Sequence, residues 1–251
     1  MTLLTVDIRK KTYANGCCAI EGLSFLAQPG EFIAIVGPSG AGKTTLLNLI
    51  SGLDQDMEGV VSFHCGQTLP ADRKIGFMFQ EARLMPWLTV QKNLELVLTA
   101  PSRGHQKRSL QEWLTLVGLQ GCGEMFPGQL SGGMQRRVAL LRAFIVEPEL
   151  LLMDEPFQAL DAPTANQLRR LLQELWISTS PTVLFVTHSL REALSLADRV
   201  LFLSTQPSKV ILNIPVDLKH PRTIDDACVQ HLHDSLLKQH PKLLGGTISP
   251  D

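Results

Sequence analysis

Eight consecutive residues, Gly37-Pro38-Ser39-Gly40-Ala41-Gly42-Lys43-Thr44, constrain this chain more than any other stretch, because they fill every fixed position of the pattern G-x-x-x-x-G-K-[ST]. The flanks are those the pattern needs. Glu31 to Val36 is a short apolar, β-branched run with the character of a buried strand, and Thr44 to Ile50 has that of a helix, so strand, glycine loop and helix follow in order. Glycine at 37, 40 and 42 lets the backbone turn sharply enough for its N–H groups and the positive end of the next helix to converge on one anion. Lys43 adds a mobile charge suited to β- and γ-phosphates. The Thr44 hydroxyl, with Thr45 next to it, offers an oxygen of the kind Mg²⁺ prefers. A bound nucleoside triphosphate is the implied ligand.

The rest of the composition narrows the class. With 251 residues, 44% of them hydrophobic, the chain can bury the core of one large α/β domain with room for a helical insertion. Lys and Arg total 23 against 24 Asp and Glu, a formal charge of -1, so no basic footprint for nucleic acid or an anionic membrane is present. Five cysteines (Cys17, Cys18, Cys65, Cys122, Cys228) form no C-x-x-C, which favours reduced thiols over disulfides or a zinc site. No leader-like segment opens the sequence and no apolar run approaches the roughly 20 residues that span a bilayer, so a membrane role is expected to come through a partner.

Strand-like runs at Leu4 to Ile8, Ala19 to Leu26, Phe32 to Val36 and Val60 to Phe63 are separated by turn signals at Asn15-Gly16 and Pro29-Gly30. Between Trp87 and Gly128 the pattern changes to helix-spaced apolar residues at Val90 to Leu98 and Ser109 to Val117, with Pro101 to Gly104 as a linker. Strands return at Leu150 to Met153 and Thr182 to Val186 around a helix from about Pro163 to Trp176, an alternation that predicts parallel strands with crossover helices. Thr223-Ile-Asp-Asp226 reads as a capping box for a last amphipathic helix carrying Val229, Leu232 and Leu236, and the tail from Leu244 reads as fraying.

Two further constellations carry chemistry. Leu150-Leu-Leu-Met-Asp154-Glu155 is a buried-strand pattern ending in two carboxylates, at the strand end where open α/β sheets bind ligands. Asp154 is suited to organising Mg²⁺, and Glu155, on the other side of the strand, to polarising an attacking water as general base. In Leu130-Ser131-Gly132-Gly133-Met134-Gln135, Ser131 occupies an N-cap position ahead of a helix with Met134, Val138, Leu141 and Ile145 on one stripe. A serine hydroxyl, uncovered glycine N–H groups and a helix start thus form a second anion receptor. One chain needs two receptors for one triphosphate only if two chains face each other.

With these residues in hand, from about residue 3 to 225, the chain resembles the ATP-binding subunits of ABC transporters, in which the Leu-Ser-Gly-Gly signature of one subunit closes over the γ-phosphate held by the other. The resemblance implies a nucleotide set of Tyr13 (against adenine), Gly37 to Thr45, Gln80 and Asp154, with Thr44, Gln80 and Asp154 toward Mg²⁺. Across an ATP-dependent homodimer it implies Ser131, Gly132, Gly133, Gln135 and Asp161, the last from Ala159-Leu160-Asp161. It makes Glu155 the catalytic base and His188 the switch that contacts the γ-phosphate. The implied fold is a P-loop NTPase core with a mostly parallel sheet, an antiparallel β subdomain and an inserted helical subdomain. An ATPase domain over 1–223 is expected (core about 1–86 and 150–223, helical part about 87–149), followed by a C-terminal helix and tail over 224–251.

Met78 to Val90, Met153 to Phe157, and Ala197 to Ser204 leading to His220-Pro-Arg222 look like the importer subfamily serving nitrate, sulfonate, taurine, bicarbonate and related solutes. That implies integral-membrane permease subunits as partners, an extracytoplasmic solute-binding protein acting indirectly, no nucleic acid, and a peripheral position on the cytoplasmic face. Phe79, Leu84, Met85, Pro86 and Trp87, beside Gln80, form the expected permease contact. Gln158 stands where the subfamily usually has Gly, and Ser189-Leu190 replaces the usual acidic residue after the histidine. Two rival readings fit less well: a soluble DNA or ribosome ATPase, which lacks the long coiled-coil insertion or second cassette it would need, and a P-loop kinase, which leaves Ser131 to Gly133 without a role.

Overall fold

Alternating burial organises the first sheet. Leu4, Val6 and Ile8 of β1 (Leu4–Thr12) point inward, as do Ala19, Ile20, Leu23, Phe25 and Ala27 of β2 (Cys18–Ala27). The two strands pair antiparallel through a tight turn at Asn15-Gly16, and β1 pairs on its other edge with β4 (Glu58–Phe63), which is followed by β5 (Gln67–Thr68). The order β2-β1-β4-β5 is the expected antiparallel subdomain. The computed structural model describes residues 2–63, 67–68, 75–98 and 108–248, so the linker expected at Pro101 to Gly104 and Cys65 lie outside the described residues.

The second sheet is built from runs buried on both faces, as parallel strands covered by helices must be. Every residue of β3 (Phe32–Val36) and β8 (Thr182–Thr187) is buried, and they pair in parallel with Phe32 opposite Val183 and Val36 opposite Thr187. β9 (Arg199–Leu203) runs parallel on the other side of β3, and β10 (Val210–Pro215) closes that edge antiparallel. β7 (Leu150–Asp154) lies beyond β8.

The chain divides into two units, Met1–Arg73 with Leu152–Glu155 and Thr182–Asp251, and Lys74–Leu151 with Pro156–Pro181. The first holds α1 (Lys43–Ser51), α6 (Leu190–Leu196) and α7 (Ala227–Gln239). The second holds β6 (Ile75–Met78) beside the start of β7, with α2 (Val90–Glu95), α3 (Leu110–Leu116), α4 (Gly132–Phe144) and α5 (Ala162–Thr179). The α5 helix, placed in the α/β core from sequence, thus groups with α4.

Two C-terminal details differ from expectation. Thr223 donates its N–H to the Asp226 carboxylate at 2.8 Å, the backward half of a capping box, but its hydroxyl also donates to that carboxylate at 2.8 Å instead of accepting a helix N–H. Asp226, the residue at the N-cap of α7, makes no side-chain bond to the helix. Fraying also does not set in at Leu244. Leu243–Gly245 form a 3-10 turn, Leu243 is fully buried, and Gly246 packs so closely that a Cβ there would stand 2.7 Å from the Thr205 nitrogen and 3.1 Å from Pro38 Cγ.

Candidate active site

The first unit assembles a compact polar cluster at the ends of β3, β7 and β8. The loop after β3 turns into α1 through Gly42, whose φ of 77° is left-handed and whose would-be Cβ meets the Ala19 carbonyl at 3.3 Å. The positive φ favours glycine there, and a side chain would in addition crowd that carbonyl. Lys43 begins α1, and its buried Nζ donates to the carbonyls of Gly37 and Pro38, each at 2.9 Å, with the Glu155 carboxylate 3.8 Å away. Burial pulls the Lys43 pKa below the ordinary lysine value; Glu155 and Asp154 oppose that pull without overcoming it. The Thr44 hydroxyl donates to Asp154 Oδ2 at 2.8 Å.

Glu155 departs from the strand alternation expected of it. β7 ends at Asp154, and Glu155 turns left-handed at φ 43°, its N–H held by the Val186 carbonyl at 3.0 Å. That conformation is costly for a residue with a Cβ, and such strain collects at functional positions. One carboxylate oxygen lies 2.9 Å from His188 Nδ1. Gly37, Lys43, Thr44, Asp154, Glu155 and His188, far apart in sequence, are thereby neighbours. Tyr13 is 40% exposed while its hydroxyl lies 2.7 Å from Thr45 Oγ1, and Lys11 Nζ stands 5.1 Å from the ring centre. The ring is therefore oriented on the start of α1 with surface available for stacking.

The second unit presents helix starts and exposed amides. Ser131 is the N-cap of α4 and accepts from the Met134 N–H at 3.2 Å, while Gln135 spends its amide N–H on the carbonyls of Pro127 and Leu130, closing the turn before the helix. Gly132 has open space where a side chain would be. Gly133 does not: a Cβ would stand 2.7 Å from the Thr164 methyl in α5. Asp161 caps α5 by accepting from the Thr164 N–H, and bonding to Thr164 holds its carboxyl below the usual aspartate range. Gln80 donates its amide N–H to the Gln158 side chain, and Arg136 reaches the carbonyls of Phe79 and Gln158, each at 3.4 Å.

Several residues that hold these groups escape a sequence reading. Fully buried Asn93 bonds Met85 on both its N–H and carbonyl and also bonds Leu88 and Thr89, while Arg142 bonds the carbonyls of Ala82 and Arg83. The loop is pinned from within while Trp87 stays 70% exposed. Around His188, Ser189 caps α6 by accepting from the Glu192 N–H. The Ser-x-x-Glu spacing of a capping box is visible in the sequence, although the family resemblance marks Ser189 only as a departure.

Comparison with known proteins converges on one family. The ABC transporter family pattern matches residues 20–158. The aliphatic sulfonates import ATP-binding protein SsuB of Bacillus cereus is 39% identical over 220 residues, covering 88% of this chain and 87% of that protein. An uncharacterized ABC transporter ATP-binding protein of Methanocaldococcus jannaschii, MJ0412, is 41% identical over 83% of this chain and 79% of its own. Among solved structures, the dimeric bacterial ABC transporter cassette MJ0796 superposes with a TM-score of 0.72 at 32% identity over 86% of this chain and 100% of that one. Its post-hydrolysis dimer bound to ADP and Pi gives 0.70 at 30% identity, over 87% and 100%.

Proposed function

We propose, from the premise that this chain belongs to the ABC transporter family, that it is the ATP-hydrolysing subunit of an importer and that its cargo is a small sulfonate-like solute of the nitrate, sulfonate and taurine group. Membership makes the chain an ATP-binding cassette and an ATPase. The observation that carries the chemical reading is the convergence of Lys43, Thr44, Asp154, Glu155 and His188 within one unit. What supports the solute class is the SsuB relatives, 36 to 39% identical over most of the chain.

In this reading the glycine loop and Lys43 bind the β- and γ-phosphates. Lys43 needs no partner from solvent, since its present acceptors are loop carbonyls that phosphate oxygens can replace. Glu155 orients a water for in-line attack on the γ-phosphorus and takes its proton as the bond to the ADP oxygen breaks, leaving ADP and phosphate. His188, bonded to Glu155, holds the γ-phosphate side of the site. Tyr13 stacks on adenine. Thr44 and Asp154 would offer two hard oxygens to Mg²⁺, and Gln80 is assigned to the same ion by the family resemblance alone. When bound, the ion supplies positive charge to the phosphate oxygens.

Ser131, Gly132, Gly133, Gln135 and Asp161 are assigned to the γ-phosphate side of a second copy's nucleotide. The dimeric state of the MJ0796 cassette supports this. No helix among the described residues is long and apolar enough to cross a membrane, so the proposed place on the cytoplasmic face depends on permease subunits, contacted through Phe79 to Trp87. A solute-binding protein delivers the cargo on the other side.

The test is reconstitution of the chain with its cognate permease and binding protein in vesicles. ATP-dependent uptake of an alkanesulfonate, abolished by Glu155→Gln, is the expected result. ATP hydrolysis coupled to uptake of some other solute overturns the cargo assignment, and absence of ATP hydrolysis overturns the catalytic one.

A further inference from the structure

His188 poses a positioning problem. Its side chain is 56% exposed, so packing does not orient the ring, yet its Nδ1 stands 2.9 Å from Glu155 Oε2. The residues on either side of it are, by contrast, tightly held. Thr187, the last residue of β8, is 1% exposed, and its backbone is in register with Val36, immediately before the phosphate loop. Its hydroxyl does two things at once. It accepts the Ser189 N–H at 3.0 Å, closing a short ring over the backbone of His188, and it donates to Glu192 Oε2 at 2.8 Å. Glu192 lies in the first turn of α6 and its N–H returns to Ser189 Oγ at 3.4 Å. One hydroxyl thus joins the buried strand end to the first turn of the helix, with His188 at the apex between them.

We propose that Thr187, through its hydroxyl and with Glu192 as its acceptor, is a positioning residue for His188, setting the ring against Glu155 rather than touching nucleotide itself. The proposal rests on the reading of His188 as a group of the ATPase site. A methyl-bearing side chain of the same shape at 187 would fill the same buried space yet remove the acceptor of the Ser189 N–H and the hydroxyl link to the Glu192 carboxylate. The turn would keep its packing and lose its angular definition. A displacement of that order in a reacting group costs turnover more than binding.

The experiment compares Thr187→Val, Thr187→Ser, Glu192→Gln and His188→Ala in the full chain, measuring kcat and KM for ATP and thermal midpoint. Thr187→Val is expected to lower kcat about 10-fold with KM and thermal midpoint close to wild type, while Thr187→Ser, which keeps the hydroxyl, restores most of the loss. Glu192→Gln, which keeps an acceptor oxygen, is expected to stay near wild type. Turnover by Thr187→Val equal to wild type, alongside an inactive His188→Ala, overturns the positioning role alone. A fully active His188→Ala overturns the reading of His188 and the proposal with it. Equal losses in Thr187→Val and Thr187→Ser, accompanied by a lowered thermal midpoint, also overturn it, since they make the residue a packing element.

Discussion

The cluster around Lys43 and the helix starts around Ser131 and Asp161 both have the chemistry of anion receptors, but they differ in how their polar groups are satisfied. In the first unit, Lys43 lies against loop carbonyls and Glu155, Thr44 against Asp154, and Glu155 against His188, so the groups that would handle phosphate already hold one another in place. In the second unit, Ser131 and Gly132 are exposed, and the side-chain bonds of Ser131, Gln135 and Asp161 serve their own helix ends. On the proposed reading, the difference separates a site built to bind a ligand alone from a surface that completes one only in a second copy. Preorganisation belongs to the first and partner dependence to the second.

That contrast can be broken or sharpened by substitution. Glu155→Gln removes the base and keeps the shape, so kcat should fall by roughly 10² to 10⁴ with ATP affinity little changed; hydrolysis at the wild-type rate would remove Glu155 from the role. Lys43→Ala acts on the ground state, and loss of a charged hydrogen bond of about 1.5–3 kcal/mol predicts ATP binding weaker by roughly 10- to 150-fold, read by titration with a fluorescent analogue.

Ser131→Arg should leave ATP binding to the single chain intact and weaken ATP-induced dimerisation about 30-fold, as loss of a central contact of about 2 kcal/mol would. Sedimentation with ATP would show it. Mixing this variant with Lys43→Ala chains places both lesions on one composite site and leaves the other whole, so partial dimerisation should return. If Ser131→Arg dimerises normally by itself, the two-region contrast has no assembly behind it.

The smallest effect concerns stability at the margin of the first region, where Lys11 stands over the Tyr13 ring. Buried Lys11 bonds Asp54 and Asp56. For Asp54, desolvation pushes the pKa up, but the Lys11 and Asp56 bonds outweigh it and the value ends below the ordinary one; for Lys11, desolvation lowers it and the two aspartates more than restore it. The folded carboxyl is thus more acidic and the ammonium more basic than in the unfolded chain. The pair's contribution is complete between about pH 4 and 10, fades as pH falls through the depressed Asp54 value, and fades as pH rises through the elevated Lys11 value. Asp54→Asn should lower the thermal midpoint at pH 7 by a few degrees and flatten its decline in acid. An unchanged acid profile would show that the pair is not what titrates.

The strand, loop and helix around Gly37 to Thr44 were legible because each is a local pattern whose periodicity survives without tertiary context, and so were the buried run into Asp154 and the cap at Ser131. What is not legible depends on contacts that leave no periodic trace in the sequence, whether the partner lies far along the chain or only a few residues away. Nothing near Glu155 announces a left-handed backbone, which is stabilised by Val186. Gln80 meeting Gln158, Asn93 pinning Met85 and Leu88, and Leu243 finding a buried seat are all products of packing. The Thr223 motif differs on a smaller scale: the backward bond from the Thr223 N–H to Asp226 forms, but the hydroxyl donates to the same carboxylate and the N-cap position falls on Asp226, which caps nothing.

The backbone at residue 155 also determines which sequences can drift there. At φ 43°, valine, isoleucine and threonine are disfavoured before chemistry is considered, and asparagine or glycine would fit more comfortably than the glutamate present. Glu155→Gly should therefore relieve backbone strain of about 1 kcal/mol, set against the lost carboxylate beside Lys43 and His188, and lower ATP turnover at least as far as Glu155→Gln. In a saturation library sorted for abundance this position would favour glycine, and sorted for growth on a transported solute it would favour glutamate; the divergence of the two rankings marks a place where selection for work holds the chain away from its most comfortable fold.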